Sequence, residues 1–329
     1  MFSIRPFQQT DSDYHAAVSI FNRVWTEYPD TADEWKERDG RRAKNEKFAR
    51  FLAEADGEAV AFATYSQPIN IYHPNRFWLD IDVLPDFQRR GIGSALYRHL
   101  LAQLTAHKPA TLFANTREDF ASGVQFLTKL GYQEALREWE SRLDPARVNL
   151  EPWRRYGQRM AQSGIAIQTV RELENDPDRD RKLYEMEWAI EQDVPETTTP
   201  TKPPFEEWRK VWTRSNLIPD AWWVAVQNGL YVGQTNLWRS QARESVLYTG
   251  VTGVVRTHRR LGIASALKVQ AITYAQEHQV AEVRTWNEAH NAGMLSINDR
   301  FGFVRQPAHV DFIKKLREEP KYPAEEAKV

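Results

Sequence analysis

The chain has 329 residues, room for two domains of ordinary size, and its 41% hydrophobic and 27% charged residues are the balance of a globular protein. Forty-four Lys and Arg against 45 Asp and Glu leave a net charge of −1, so no overall field draws the molecule to nucleic acid or to an anionic membrane. With no cysteine there is no disulfide, thiolate nucleophile or cysteine-bound zinc; with no signal-like start and no run near the ~20 apolar residues of a membrane span, the expected setting is the cytoplasm, without metal or membrane partners.

Phe48 to Tyr65 reads as a hairpin that turns at Asp56-Gly57. Trp78 to Leu84 reads as a strand running through Gln88-Arg89-Arg90-Gly91-Ile92-Gly93 into a helix from Ser94, with Leu96, Leu100 and Leu104 on one stripe. Between residues 146 and 163, Trp153, Tyr156 and Met160 recur at spacings of three and four, which predicts a linking helix that stops at Gly164. The Pro/Thr-rich run at 195–204 cannot continue a helix and reads as a surface loop. Trp222 to Asn236 reads as a second hairpin, turning at Asn228-Gly229. Arg259-Arg260-Leu261-Gly262-Ile263-Ala264-Ser265 then repeats the earlier glycine turn at an offset of 171. From Arg317 the charged, proline-containing tail reads as disordered.

The same offset lays Val83 on Val254, Gly131-Tyr132 on Gly302-Phe303 and Arg50–Ala53 on Ala221–Val224, while Ile4 meets Ile167 at 163. Several landmarks in register predict a duplicated domain. The expected division is a first domain over 1–145, a linker helix over 146–164, a second domain over 165–316 and a tail over 317–329. Strands alternating with helices make the class α/β.

A strand that enters a glycine turn and then a helix leaves several N–H groups unpaired at the helix start, and these form an anion site. The spacing is neither that of the nucleotide P-loop nor that of the Rossmann fingerprint, which disfavours ATP and NAD. Val83-Leu84-Pro85-Asp86-Phe87-Gln88-Arg89-Arg90-Gly91-Ile92-Gly93 and Val254-Val255-Arg256-Thr257-His258-Arg259-Arg260-Leu261-Gly262-Ile263-Ala264 both resemble the acetyl-CoA loop of the GNAT superfamily of N-acetyltransferases. Leu130-Gly131-Tyr132 and Phe301-Gly302-Phe303 resemble that family's closing pair, and the tandem arrangement is similar to that of mycothiol synthase.

The resemblance implies two GNAT-like domains, each a mixed, mostly antiparallel sheet flanked by helices, with acetyl-CoA in a cleft where the sheet splays. It implies acetyl transfer to the amine of a small molecule or peptide; the rival is an inactive acyl-CoA-binding or scaffold protein. The cofactor set it implies is Val83, Leu84, Gln88, Arg89, Arg90, Gly91, Ile92, Gly93 and Ser94 in the first copy. In the second it is Val254, Val255, Arg259, Arg260, Leu261, Gly262, Ile263, Ala264 and Ser265, with Asn287 and Asn291 in the pantetheine-contacting segment.

Neutralising an amine needs a base, and the departing thiolate needs a proton. The family's frequent tyrosine acid falls at Leu127 and Asn298, and of these Asn298 alone can offer a donor to sulfur. Asp80 and Asp82, two apart on a strand, share a face and are base candidates or partners of Arg89 and Arg90. Trp25, Trp35, Trp188 and Trp208 either line acceptor pockets or pack a core. On its polar groups the second copy is the expected catalyst, so that glutamate at Gly262 harms turnover more than glutamate at Gly91.

Overall fold

The computed structural model describes residues 1–322. In chain order it runs β1 (Phe2–Pro6), α1 (Asp11–Val24), α2 (Ala32–Gly40), β2 (Ala49–Ala55), β3 (Glu58–Ser66), β4 (Arg76–Val83), α3 (Ile92–Leu104), β5 (Thr111–Arg117), α4 (Ala121–Lys129) and β6 (Gln133–Leu143). It continues with α5 (Arg154–Gln162), β7 (Ile165–Thr169), α6 (Arg179–Glu191), α7 (Phe205–Arg209), β8 (Leu217–Gln227), β9 (Leu230–Arg239), β10 (Val246–Thr249), β11 (Gly253–Val254), α8 (Ile263–Glu277), β12 (Glu282–Glu288), α9 (Ala292–Phe301), β13 (Val304–Arg305) and β14 (His309–Lys315). No helix among the described residues is long and apolar enough to cross a membrane.

The chain divides into two compact units. Among the described residues the first holds 1–136, 197–204 and 310–322; the second holds 137–196 and 205–309. Strand order in the first is β1-β2-β3-β4-β5-β14, and in the second β7-β8-β9-β10-β12-β6. The cut expected at 145/146 therefore differs from the packing, because β6 lies mostly in the second unit and β14 in the first. Residues 197–204, expected as a surface loop, run along the first unit, where Thr201 N–H donates to Asn70 O at 2.6 Å. Of the tail expected to be disordered, residues 317–322 are held: Glu319 pairs with Arg76 at 2.9 Å and accepts from Thr111 Oγ1. The rest of that tail lies outside the described residues.

Both expected hairpins form. Asp56-Gly57 and Asn228-Gly229 have positive φ at both positions (53° and 84°, 51° and 76°), the backbone of the tight turn that matches strand twist. The linking helix is shorter than expected, with one-turn segments at Pro145–Arg147 and Glu151–Trp153 ahead of α5.

Strand pairings correct one overlay. Ala53 lies between Ile4 and Ala61, and Ala225 between Ile167 and Gly233, so Ala53 corresponds to Ala225 at an offset of 172. The overlay of Arg50–Ala53 on Ala221–Val224 is thus one residue short. From the glycine turn onward the offset is 171: α3 and α8 begin at Ile92 and Ile263, β5 and β12 at Thr111 and Glu282, α4 and α9 at Ala121 and Ala292.

In each unit a short parallel ladder opens the sheet. β4 pairs with β5 over Arg76–Trp78 against Thr111–Phe113, and β10 with β12 over Val246–Tyr248 against Glu282–Arg284. Beyond these three-residue ladders the strands part, and the glycine turns sit at the mouths of the gaps.

Candidate active site

The glycine turns fold alike. Arg89 and Gly91 take φ of 60° and 84°, and Arg260 and Gly262 take 64° and 90°, a left-handed pair just before the helix that turns successive amides inward. Gly91 and Gly262 are therefore strained positions for any other residue. The glutamate substitutions expected to test the two loops would disturb the backbone as well as the anion site. Gly93 and Ala264, the second residues of α3 and α8, are free of that strain and line the two clefts.

Of the expected cofactor residues, Leu84, Ile92, Val254, Ile263 and Ser265 are buried, and the last three still line the second cleft. Gln88 and Arg259 turn back to the strand, donating to Val83 O at 3.1 Å and Val254 O at 3.0 Å. They tie the loop down. Arg89 and Arg90 are exposed, and neither forms the ion pair with Asp80 or Asp82 that was one expectation.

The second cleft is the larger, about 560 Å³ against 340 Å³ in the first. Arg159, Arg260 and Arg300 line it and form no ion pair with a carboxylate among the described residues, which suits an anionic diphosphate. Asp193 bridges Arg256 and Arg259, whose hydrogen bonds hold its carboxyl down at about 2. Tyr156 of α5 stacks on the loop so closely that a Cβ on Gly262 would meet its ring at 2.8 Å; at Gly91 nothing lies within 4 Å. Arg159, Arg300 and Tyr156 were missed as site residues because linker and helix-end positions carry no motif.

The strands leading to the two loops differ in register. β4 runs unbroken against β3 from Ser66 opposite Trp78 to Ala61 opposite Val83. In the second unit Thr249 faces Leu237 but Gly253 faces Gln234, so Gly250, Val251 and Thr252 oppose only Thr235 and Asn236. This one-residue bulge takes Val251 and Thr252 out of the ladder, and Thr252 lines the cleft. Freed amides at that point can face a carbonyl oxygen as it gains charge.

The base candidates also divide between units. Asp80 accepts from Trp78 Nε1 at 3.1 Å and Asp82 from Trp25 Nε1 at 3.0 Å. Burial pushes their carboxyls up to about 6 and about 7. Through the bulge, Asp80 corresponds to Gly250, not to Val251.

In the second unit α6 presents Glu187 and Glu191 one turn apart, neither of which the sequence reading singled out. Glu187 accepts from Gln234 Nε2 at 2.8 Å and from Trp208 Nε1, and burial raises it. Burial, then the charges of Glu187 and Glu196, push Glu191 up to about 7. Residues Ile190 and Asp193 of the same segment line the cleft. A helical i, i+4 carboxylate pair was the available signal, and it looks like any solvated helix face.

Of the expected amide cluster, Asn291 lines the cleft and caps α9, accepting from Met294 N at 3.2 Å. Asn298 is buried and donates to Asn287 Oδ1 at 2.6 Å, behind the cleft wall. Trp35 is core, Trp25 lines an inner chamber of the first unit, and Trp208 holds Glu187.

The sequence model of the Acetyltransferase (GNAT) family matches residues 14–132 and 181–303. A [Ribosomal protein bS18]-alanine N-acetyltransferase of Escherichia coli (strain K12) is 30% identical over 101 residues, 31% of this chain and 66% of that protein, so the chain spans just under two thirds of that curated relative. A GCN5-related N-acetyltransferase from Sphaerobacter thermophilus superposes with a TM-score of 0.70 at 21% identity, covering 100% of this chain and 98% of that one. A tandem GNAT protein from the clavulanic acid biosynthesis pathway superposes at 0.73 with 18% identity, covering 97% and 100%. These two likenesses establish the fold.

Proposed function

The chain belongs to the GNAT family of acetyltransferases, and from that premise we propose that it moves an acetyl group from acetyl-CoA to the amine of a small molecule or peptide, with the second unit as the catalyst. The observation that carries this choice is the bulge at Gly250–Thr252, which the first unit lacks. Arg159, Arg260 and Arg300, which have no carboxylate partner among the described residues, and the loop amides of Arg260–Ser265 would hold the diphosphate, and the bulge amides would face the acetyl oxygen. Acetyl-CoA supplies the activated acyl group when bound. Glu191, raised toward neutrality, takes the proton from the acceptor nitrogen, directly or through water, while Glu187 is held in place by Trp208 and Gln234.

The first unit is the second reading, favoured by the raised Asp80 and Asp82 and by an open loop at Gly91. Ala264→Glu and Gly93→Glu separate the two, since each sets a carboxylate against the diphosphate at an unstrained, equivalent position. Thiol release from acetyl-CoA over an amine panel should fall further in Ala264→Glu, by about 100-fold or more, the effect of one misplaced charge at a desolvated anion site. The reverse order moves catalysis to the first unit. Thiol release from no amine, with acetyl-CoA still bound, makes the protein a binding scaffold.

A further inference from the structure

Behind the first loop lies a small inner chamber of about 110 Å³, which shares Ile81, Gln88, Ser122, Gly123 and Phe126 with the loop cleft. Its wall includes Tyr97, Thr116, Leu127 and Tyr132. At the constant offset of 171 the same places in the second unit are taken by Lys268, Asn287, Asn298 and Phe303. A phenol and an isobutyl group of the chamber wall are thus replaced by an ammonium and an amide, both buried behind the lining of the second cleft.

Neither new polar group is satisfied. Lys268 is 1% exposed, its Nζ has no hydrogen-bond partner, and the Phe303 ring lies 5.1 Å away. Asn298 is also 1% exposed, and its Oδ1 is without a partner while its amide is engaged by Asn287. One N–H of the amide that the sequence offered to sulfur is therefore occupied. The first unit sets the contrast: Lys314 of β14 lies 5.6 Å from the Tyr97 ring and 5.7 Å from the Tyr132 ring, but it donates to Leu130 O at 2.6 Å and to Tyr97 Oη at 3.3 Å. The half-buried ammonium of the first unit is satisfied, and the fully buried one in the second unit is not. Burial alone pulls Lys268 down to about 7, which leaves it able to give up a proton at neutral pH.

We propose that Lys268 is the proton donor to the CoA sulfur in the second unit, filling the role for which neither unit has the usual tyrosine. The acceptor nitrogen bonds to the acetyl carbon, the C–S bond breaks with its electron pair on sulfur, and an N–H of Lys268 passes its proton to that sulfur. The proton lost by the acceptor nitrogen leaves by Glu191, and solvent returns one to the neutral amine of Lys268. This rests on the second unit being the catalyst, and its test needs no acceptor.

CoA and desulfo-CoA, which differ only in the sulfur, are titrated calorimetrically into full-length protein carrying Gly93→Glu, so that the second cleft alone is read. CoA should bind at least about tenfold more tightly than desulfo-CoA, the effect of one charge-assisted contact to sulfur. In Lys268→Met that preference should shrink to within about twofold while desulfo-CoA affinity stays as it was. Melting should hold or improve, since an uncompensated buried charge has been removed. Lys268→Leu, which likewise removes the donor, keeps the question answerable if the methionine variant misfolds. A CoA preference that survives both changes overturns the assignment of Lys268. No binding of either ligand to the Gly93→Glu protein overturns instead the choice of the second unit, a separate outcome.

Discussion

Glu191 and Asp82 are both carboxyls pushed up to about 7, and they are expected to answer differently. A base that is protonated in acid and ionised as pH rises through about 7 gives kcat/KM an acid limb at that pH. Glu191→Gln should remove this limb and lower turnover by about 100-fold or more, with CoA affinity kept. An unchanged limb would exclude Glu191. Asp82 enters stability instead. Its folded value lies above the ~3.9 of an unfolded aspartate, so the native state holds the extra proton between about pH 4 and pH 7 and loses stability as pH rises through that window. Asp82→Asn should melt a few degrees above the parent at pH 8 and with it near pH 4, by calorimetry. At this scale the sequence was half informative. Asp80 and Asp82 stood out because charge on a central strand is unusual, whereas Glu187 and Glu191 lie on a helix among other charges and Lys268 is a single lysine on a mostly apolar helix, a long side chain that ordinarily reaches solvent, so that only tertiary packing makes them exceptional.

Elements were more legible than residues. The Asp-Gly and Asn-Gly turns, the apolar stripe of α3 and the repeated glycine turns all carry local signals, and each formed. The bulge did not show, because another length change hides it: strands β2 and β3 map to β8 and β9 at 172, while the loops map at 171. A shorter β9–β10 connection and an extra bulge residue nearly cancel, leaving one apparent offset with a slip in it. If the bulge aims the freed amides, removing one residue should restore the ladder and withdraw them. Deletion of Val251 is expected to reduce turnover by about 10²-fold, the usual effect of losing an oxyanion donor, with the loop and its CoA affinity preserved. Loss of CoA binding in step with turnover would make the bulge a prop for the loop and not part of the chemistry.

At the scale of the whole molecule, neither compact unit is one continuous piece of sequence. The first unit is completed by β14, whose Val310 and Phe312 are 1% and 5% exposed within its core. Asn115 Nδ2 donates to Asp311 Oδ1 at 2.5 Å, and Leu316 N–H donates to Ala110 O at 2.7 Å. A duplicated sequence invites a cut between its copies, and nothing local says which sheet a strand will join; β6 and β14 each follow their own copy's last helix, as a self-contained domain would have them. A fragment of residues 1–145 therefore lacks two buried core side chains, each contributing about 1.5–3 kcal/mol, and leaves β5 with an open edge. That is a large part of the 5–15 kcal/mol typical of a domain. The fragment should melt without a sharp transition and aggregate, and joining residues 307–322 to its end through a flexible linker should restore a cooperative melt. A fragment of 1–145 that melts as sharply without the added strand would show that the first copy closes its own sheet with β6.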